Sequence, residues 1–133
     1  MTKRELPPLS EGQLEIVNVV WDQGEVTVAD VWRALTKRRP ISRNTISTMI
    51  TRLEEKGWLR QRVKAGSYFY TAAFSREKVL PRLVRRLVDA AFQGSAEGLV
   101  LTLLEEGRLS PDEVGRIKAM LEKAEGEKRE GDK

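Results

Sequence analysis

The sequence predicts a mainly helical α+β chain that contains one small β-hairpin. Three observations carry this. Apolar residues recur at helical spacing behind three successive capping signals, the spacing then switches to two between Trp58 and Thr71, and helical spacing returns in the C-terminal part. A chain of 133 residues is one typical domain, or one small domain with an appendage, and is too short for two large ones.

Ser10, with Gln13 three positions on, reads as a capping box, and Leu14, Val17, Val20 and Trp21 follow at helical spacing until Gly24. Thr27 and Asp30 start a second, short helix in the same way; its stripe is Val28, Val31, Trp32 and Leu35, and Pro40 lies beyond its basic end. Ser42 caps a third helix, in which Ile46, Met49, Ile50 and Leu53 stand at i, i+3, i+4 and i+7 and Gly57 closes the run. Trp58-Leu59-Arg60-Gln61-Arg62-Val63 and Tyr68-Phe69-Tyr70-Thr71 then read as two strands joined by Lys64-Ala65-Gly66-Ser67, where Gly66 supplies a positive φ. Glu25-Val26-Thr27 is the candidate for a short third strand. The three tryptophans fall on apolar stripes or at the hairpin root, so all three are expected in the core.

Three helices followed by a hairpin is the layout of a winged helix-turn-helix domain. Beyond it the chain is helical. Pro81 leaves two starts open: a helix capped by Ser75 with the proline in its second turn, or one beginning near Leu80 with the proline in its first turn. Leu80, Leu83, Val84, Leu87, Val88, Ala91 and Phe92 form its apolar face. Ser95 caps a further helix holding Leu99, Val100, Leu101, Leu103 and Leu104, stopped by Gly107. Ser110-Pro111-Asp112-Glu113 starts the last one, through Val114, Ile117, Met120 and Leu121. These faces carry more apolar surface than one chain can cover, so Leu80, Val84, Leu87, Val88, Ala91, Phe92, Leu99, Val100, Leu103, Leu104, Ile117 and Leu121 are candidate dimerisation residues.

Composition narrows the function. The 40% hydrophobic and 33% charged residues are the balance of a globular protein. Cysteine and histidine are both absent, which removes disulfides, thiolate and histidine catalysis, and zinc sites with nitrogen or sulfur ligands, so no metal or cofactor is expected. No acid sits in an apolar setting that would raise its pKa, which argues against a carboxylate hydrolase. No stretch approaches the roughly 18 apolar residues of a membrane span and no leader follows Met1, so the expectation is a cytoplasmic protein without membrane insertion.

The charge is uneven. Residues 1–80 carry 14 basic and 9 acidic side chains, net +5, whereas residues 81–133 are net −1, and Lys37 to Lys64 alone is net +7. The predicted division is a winged helix domain over 1–76, a helical dimerisation domain over 77–125 and a disordered tail over 126–133, which lacks apolar residues. Opposite its apolar stripe the third helix carries Asn44, Ser47, Thr48, Thr51 and Arg52. Short polar side chains let a helix approach base edges in a major groove, and Asn, Ser, Thr and Arg can pair there. With basic flanks on both sides, and Arg60, Arg62 and Lys64 on one face of a strand, the predicted partner is double-stranded DNA. The candidate DNA-binding residues are Arg43, Asn44, Thr45, Ser47, Thr48, Thr51, Arg52, Arg60, Arg62, Lys64 and Tyr68. The alternative is a protein-interaction module whose basic face meets an acidic protein.

Leu9-Ser10-Glu11-Gly12-Gln13-Leu14-Glu15-Ile16-Val17, Val20-Trp21, Ile41-Ser42-Arg43-Asn44-Thr45-Ile46, Thr51-Arg52-Leu53-Glu54-Glu55-Lys56-Gly57 and Gly94-Ser95 resemble the penicillinase and methicillin-resistance repressor family, which includes the copper-responsive CopY type. The likeness runs in order from about Leu9 to Leu121. It implies a homodimeric repressor on an inverted-repeat operator, dimerised by its C-terminal helices. For the antibiotic-responsive members it also implies release by cleavage, triggered by a membrane sensor protease. The chain departs from the pattern at three points. Ser47 stands where the family often has a basic residue, Thr102-Leu103 aligns with the family's Asn-Phe cleavage step, and the cysteines of the copper-responsive members are missing.

Overall fold

The computed structural model describes residues 7–131; the reading of Met1–Leu6 as free of a leader, and that of Asp132 and Lys133 as tail, lie outside the described residues. The elements run α1 (Glu11–Gln23), β1 (Glu25–Val26), α2 (Val28–Thr36), α3 (Arg43–Glu55), β2 (Leu59–Lys64), β3 (Ser67–Ala72), α4 (Arg76–Ala91), α5 (Ala96–Glu105) and α6 (Pro111–Gly131). Together they make the predicted α+β winged helix fold with a helical C-terminal part. No single helix among the described residues is long and apolar enough to cross a membrane.

The chain divides into two compact units, Met1–Pro81 and Arg82–Lys133. The division falls inside α4 and later than residue 76, because the first turn of α4 belongs to the first unit. Val79 is fully buried, and Arg76 pairs with Asp22 at 2.7 Å and lies 5.3 Å from the Trp21 ring centre. The helix itself starts behind Ser75, whose carbonyl accepts from the Lys78 and Val79 amides at 3.1 Å each. Pro81 therefore sits inside α4, in agreement with the first of the two alternatives, and leaves the Glu77 carbonyl without its i+4 donor.

In the first unit the capping boxes form as the sequence predicts: Ser10 with Gln13 and Thr27 with Asp30 exchange both side-chain-to-backbone bonds. The core joins Ile16, Val17 and Val20 of α1, Val31 and Leu35 of α2, Ile46, Ile50 and Leu53 of α3, and Val26, Trp58, Leu59 and Tyr70 around the sheet. Trp21 and Trp32 are only half-buried, unlike Trp58. Each indole N–H still reaches a backbone carbonyl: Trp21 that of Phe74, Trp32 that of Ile41 and Trp58 that of Pro7, at 2.9, 2.8 and 3.2 Å. The chain leaves α3 through a Schellman turn: Gly57 takes φ +90°, and the Trp58 and Gly57 amides donate to the Leu53 and Glu54 carbonyls at 2.9 and 3.0 Å.

The sheet has the order β1-β3-β2, antiparallel throughout, and the short strand at Glu25–Val26 is its edge beside β3. The hairpin is tighter than the sequence suggests. Lys64 and Ser67 already pair, leaving Ala65 and Gly66 as a two-residue turn with φ +51° and +78°.

In the second unit Ser95 caps α5 by accepting from the Gly98 amide at 2.9 Å, and Ser110 and Glu113 form a capping box on α6 at 3.2 and 3.1 Å. The expectation of a disordered tail from residue 126 is corrected, because α6 continues to Gly131. Lack of apolar residues removes packing, not helicity; Glu, Lys and Arg are strong helix formers. Between residues 82 and 128 no side chain is buried.

Candidate nucleic-acid interface

Ser42 sets the start of α3 by accepting from the Thr45 amide at 3.1 Å, and the Trp32 indole fixes the turn before it through Ile41. The same indole carries Arg43, whose guanidinium carbon lies 4.7 Å from the ring centre. Arg43, Asn44, Thr45, Ser47, Thr48, Thr51 and Arg52 are all exposed, as the stripe opposite Ile46, Ile50 and Leu53 must be. Their hydrogen-bonding states differ. The Thr45 hydroxyl shares a 2.9 Å bond with the Ser42 hydroxyl, and Thr51 donates to the Ser47 carbonyl at 3.0 Å. Among the described residues nothing pairs with the side chains of Asn44, Ser47 and Thr48, which stand at i, i+3 and i+4 on one line of the helix. α1 and α3 approach closely at Gly12, where a Cβ would stand 2.9 Å from Cε, the movable end of the Met49 side chain.

The hairpin separates the residues that the sequence groups together. Leu59 and Tyr70 are buried on one face of the sheet, and Tyr68 and Val63, cross-strand partners, continue that face past the core, where they are 58% and 63% exposed. Arg60, Arg62 and Lys64 lie on the other face, so Tyr68 is not brought to the basic row. The row is not uniform either. Arg62 Nε and Nη2 donate to the two Glu25 carboxylate oxygens at 2.6 and 3.1 Å, and Lys64 Nζ is 3.6 Å from Glu25 Oε1. The Arg62 hydrogen bond holds the Glu25 carboxyl below the usual carboxylate range, against a smaller upward push from burial. Arg60 and Arg52 have no ion-pair partner among the described residues.

Sequence reasoning missed three residues that govern these cations. Glu25 faces the basic row because its strand pairs with β3, with Glu25 opposite Thr71 and Thr71 opposite Arg60; a strand drawn beside Tyr70 and Thr71 in the sequence would have placed it there. Trp32 carries Arg43 from the preceding helix, a pairing for which no sequence signal exists. Glu15 of α1 takes Arg39 at 2.8 Å and Arg38 at 4.0 Å, so two of the three cations after α2 are paired as well.

Of the residues read as a dimerisation surface, Leu80, Val84, Leu87, Ala91, Val100, Leu103, Leu104, Ile117 and Leu121 are exposed, and Val88, Phe92 and Leu99 are half-buried. Leu101 and Met120 add to the exposed apolar surface at 54% and 66%. Thr102 and Leu103 lie within α5. Among the described residues no group of three acidic, Cys or His side chains is placed to hold a metal, and no buried side-chain polar atom lacks a partner.

A family model described as penicillinase repressor matches residues 9–123. The penicillinase repressor of Bacillus licheniformis is 26% identical over 127 residues, 96% of this chain and 99% of that protein. The methicillin resistance regulatory protein MecI of Mammaliicoccus sciuri is 24% identical over 115 residues, 86% of this chain and 94% of that protein. Among solved structures, the monomeric form of Bacillus licheniformis BlaI in complex with the blaP half-operator overlays with a TM-score of 0.50 at 28% identity, over 57% of this chain and 93% of that one.

Proposed function

Because the chain belongs to the penicillinase repressor family of DNA-binding transcriptional repressors, which are not enzymes, we propose that it closes a promoter by occupying an inverted-repeat operator as a cytoplasmic homodimer. The observation that carries this is the unpaired line of Asn44, Ser47 and Thr48 on α3, flanked by Arg43 on its indole platform and by the unpartnered Arg52 and Arg60. The short polar groups read base edges in the major groove and the guanidinia take phosphates. Thr45 and Thr51 contribute as hydroxyls already bonded to the protein, and Arg62 and Lys64 as cations shared with Glu25.

The second unit supplies the dimer. Its exposed leucines and valines need cover that its own helices do not provide, and two-fold symmetry then sets half-sites about one helical turn, or a multiple of it, apart. Release of the promoter follows loss of that dimer, because tethering the second half-site multiplies affinity by about 10² to 10⁴. In the family pattern that loss follows a cut triggered by a membrane sensor protease; the Asn-Phe step it uses is replaced here by Thr102-Leu103 in α5, so the reading rests on loss of the dimer and not on cleavage of that bond.

The test is selection of duplexes from a random library by the full chain, followed by binding isotherms over a salt series. Substitutions at Asn44, Ser47 or Thr48 shift base preference by about 1–3 kcal/mol, whereas Arg60→Ala weakens every duplex alike and lowers the salt slope by about 0.9 per half-site. Enrichment of no sequence, or binding that ignores salt, refutes the reading in favour of an acidic protein partner.

A further inference from the structure

Glu25 is the carboxylate that meets the basic row of the hairpin, and the sheet sets its backbone there. Its backbone is an edge strand in register with Thr71, and its side chain is 25% exposed, against 62% and 57% for Arg62 and Lys64. Lys64 Nζ reaches it over the Phe69 ring, 5.5 Å from the ring centre, and Arg62 reaches it from the position opposite Phe69. Two of the five guanidinium donors of Arg62 are thereby taken, and the cluster of three side chains carries one net positive charge, not two. Arg60 in the same row stays unpaired. The hairpin therefore has two kinds of cation: one open to any phosphate, and a pair already holding an oxyanion.

We propose that Glu25 is a specificity-determining residue for DNA binding, an internal stand-in for phosphate that keeps Arg62 and Lys64 from contributing to binding on arbitrary sequence. This rests on duplex DNA being the partner. Non-specific affinity scales with the number of phosphates neutralised, so a cation that must first give up a carboxylate adds little on a loosely placed duplex. When α3 is in register with its bases, the hairpin is held against one stretch of backbone. The exchange of Glu25 for phosphate then occurs at a fixed geometry, with several phosphates acting on the pair together. The carboxylate thus lowers binding to arbitrary sequence more than binding to the operator.

The experiment uses the full-length chain as wild type, Glu25→Gln, Arg62→Ala/Lys64→Ala, and the triple variant. The probes are the duplex recovered by selection and a scrambled duplex of the same length, each titrated at 50 and 200 mM salt. Glutamine keeps the shape and one acceptor oxygen, removes the charge and turns the second acceptor into a donor; circular dichroism and thermal melting establish that each variant is folded. For Glu25→Gln the scrambled duplex binds more tightly, and the ratio of its affinities at the two salt concentrations grows about 3.5-fold per bound protomer, one extra phosphate contact at a slope of about 0.9. The selected duplex gains less, so the specificity ratio falls. Adding Glu25→Gln to Arg62→Ala/Lys64→Ala changes nothing. The proposal is overturned if the scrambled duplex keeps its salt slope, if both duplexes gain equally, or if the gain persists without Arg62 and Lys64, which would make Glu25 a plain negative charge. Wild-type protein that binds neither duplex overturns the DNA reading itself, and that titration is read first.

Discussion

Trp32 is the sharpest point at which fold and proposed function meet, because one indole makes both a structural bond and a platform. Its N–H donates to the Ile41 carbonyl at 2.8 Å, and its ring lies 4.7 Å from the Arg43 guanidinium carbon. Trp32→Phe removes the first and keeps an aromatic face; Trp32→Leu removes both. Ile41 is half-exposed, so water can replace the lost donor, and the stability loss for Trp32→Phe is about 0.5–1.5 kcal/mol, or roughly 4–8 °C per kcal/mol for a unit of this size. Trp32→Leu forfeits about a further 0.5–1 kcal/mol of cation–π attraction. Affinity for the selected duplex responds differently. An Arg43 without its platform must be ordered on binding, at about 1 kcal/mol of side-chain entropy, which is about fivefold in affinity. Trp32→Phe then binds within about twofold of wild type and Trp32→Leu about fivefold more weakly, with Arg43→Ala as the floor, all by fluorescence anisotropy alongside thermal melts. Equal weakening by the phenylalanine and leucine variants assigns the effect to the turn at Ile41 and refutes the platform. Full affinity in Trp32→Leu beside a weakened Arg43→Ala refutes it as well.

Other outcomes follow from the same structure. Leu87→Asp with Leu101→Asp places charges on the exposed apolar surface of the second unit, and sedimentation at micromolar concentration should show a monomer whose first unit melts as before. Ending the chain after Arg76 deletes the fully buried Val79 from the first unit and should lower its urea stability by about 1.5–3 kcal/mol relative to ending it after Pro81. Asp30 is held below the usual aspartate range, first by the Thr27 amide and then by the Thr27 hydroxyl and Arg33. A depressed folded-state pKa contributes stability that is present above the unfolded-state pKa and is lost as pH falls through the folded-state one. Asp30→Asn should therefore lower stability at neutral pH and flatten its decline in acid, as read by urea denaturation across a pH series.

The elements that the sequence makes legible are those whose signals are local. Each capped helix of the first unit carries its serine or threonine, its partner three residues on and its apolar stripe within a dozen positions, and each forms. The switch to alternation at Trp58 likewise marks the hairpin, because burial of one sheet face acts on every second residue. The tail departs from the expectation because apolar content reports packing while helix formation also answers to propensity. The unit boundary after Pro81 falls where the change in charge near residue 80 lies but later than the bound of 76 set at the start of the helix, because Val79 is buried in the first unit, a long-range fact. Pro81 is ambiguous from its neighbours in sequence alone, since proline suits a first turn and also survives deeper in a helix whose first turn is packed at Val79 and Arg76.

The interface divides along the same line. That Asn44, Ser47, Thr48 and Arg52 face outward follows from the position of Ile46, Ile50 and Leu53 alone. Which cations are free does not, because each pairing spans a distance that no spacing rule covers: Arg62 meets Glu25 across 37 positions, and Arg39 of the segment after α2 meets Glu15 of α1. Counting charges between Lys37 and Lys64 gives a patch of net +7, but three-dimensional pairing leaves Lys37, Arg52, Lys56 and Arg60 without ion-pair partners among the described residues, Arg43 on an aromatic face, and Arg38, Arg39, Arg62 and Lys64 already beside carboxylates. A surface of that kind binds polyanions less steeply than its composition suggests. The difference is set by two acids, Glu15 and Glu25, on elements that do not themselves present the reading helix. Charge count thus identifies the partner class, while the placement of the few acids decides how much of that charge a phosphate can use.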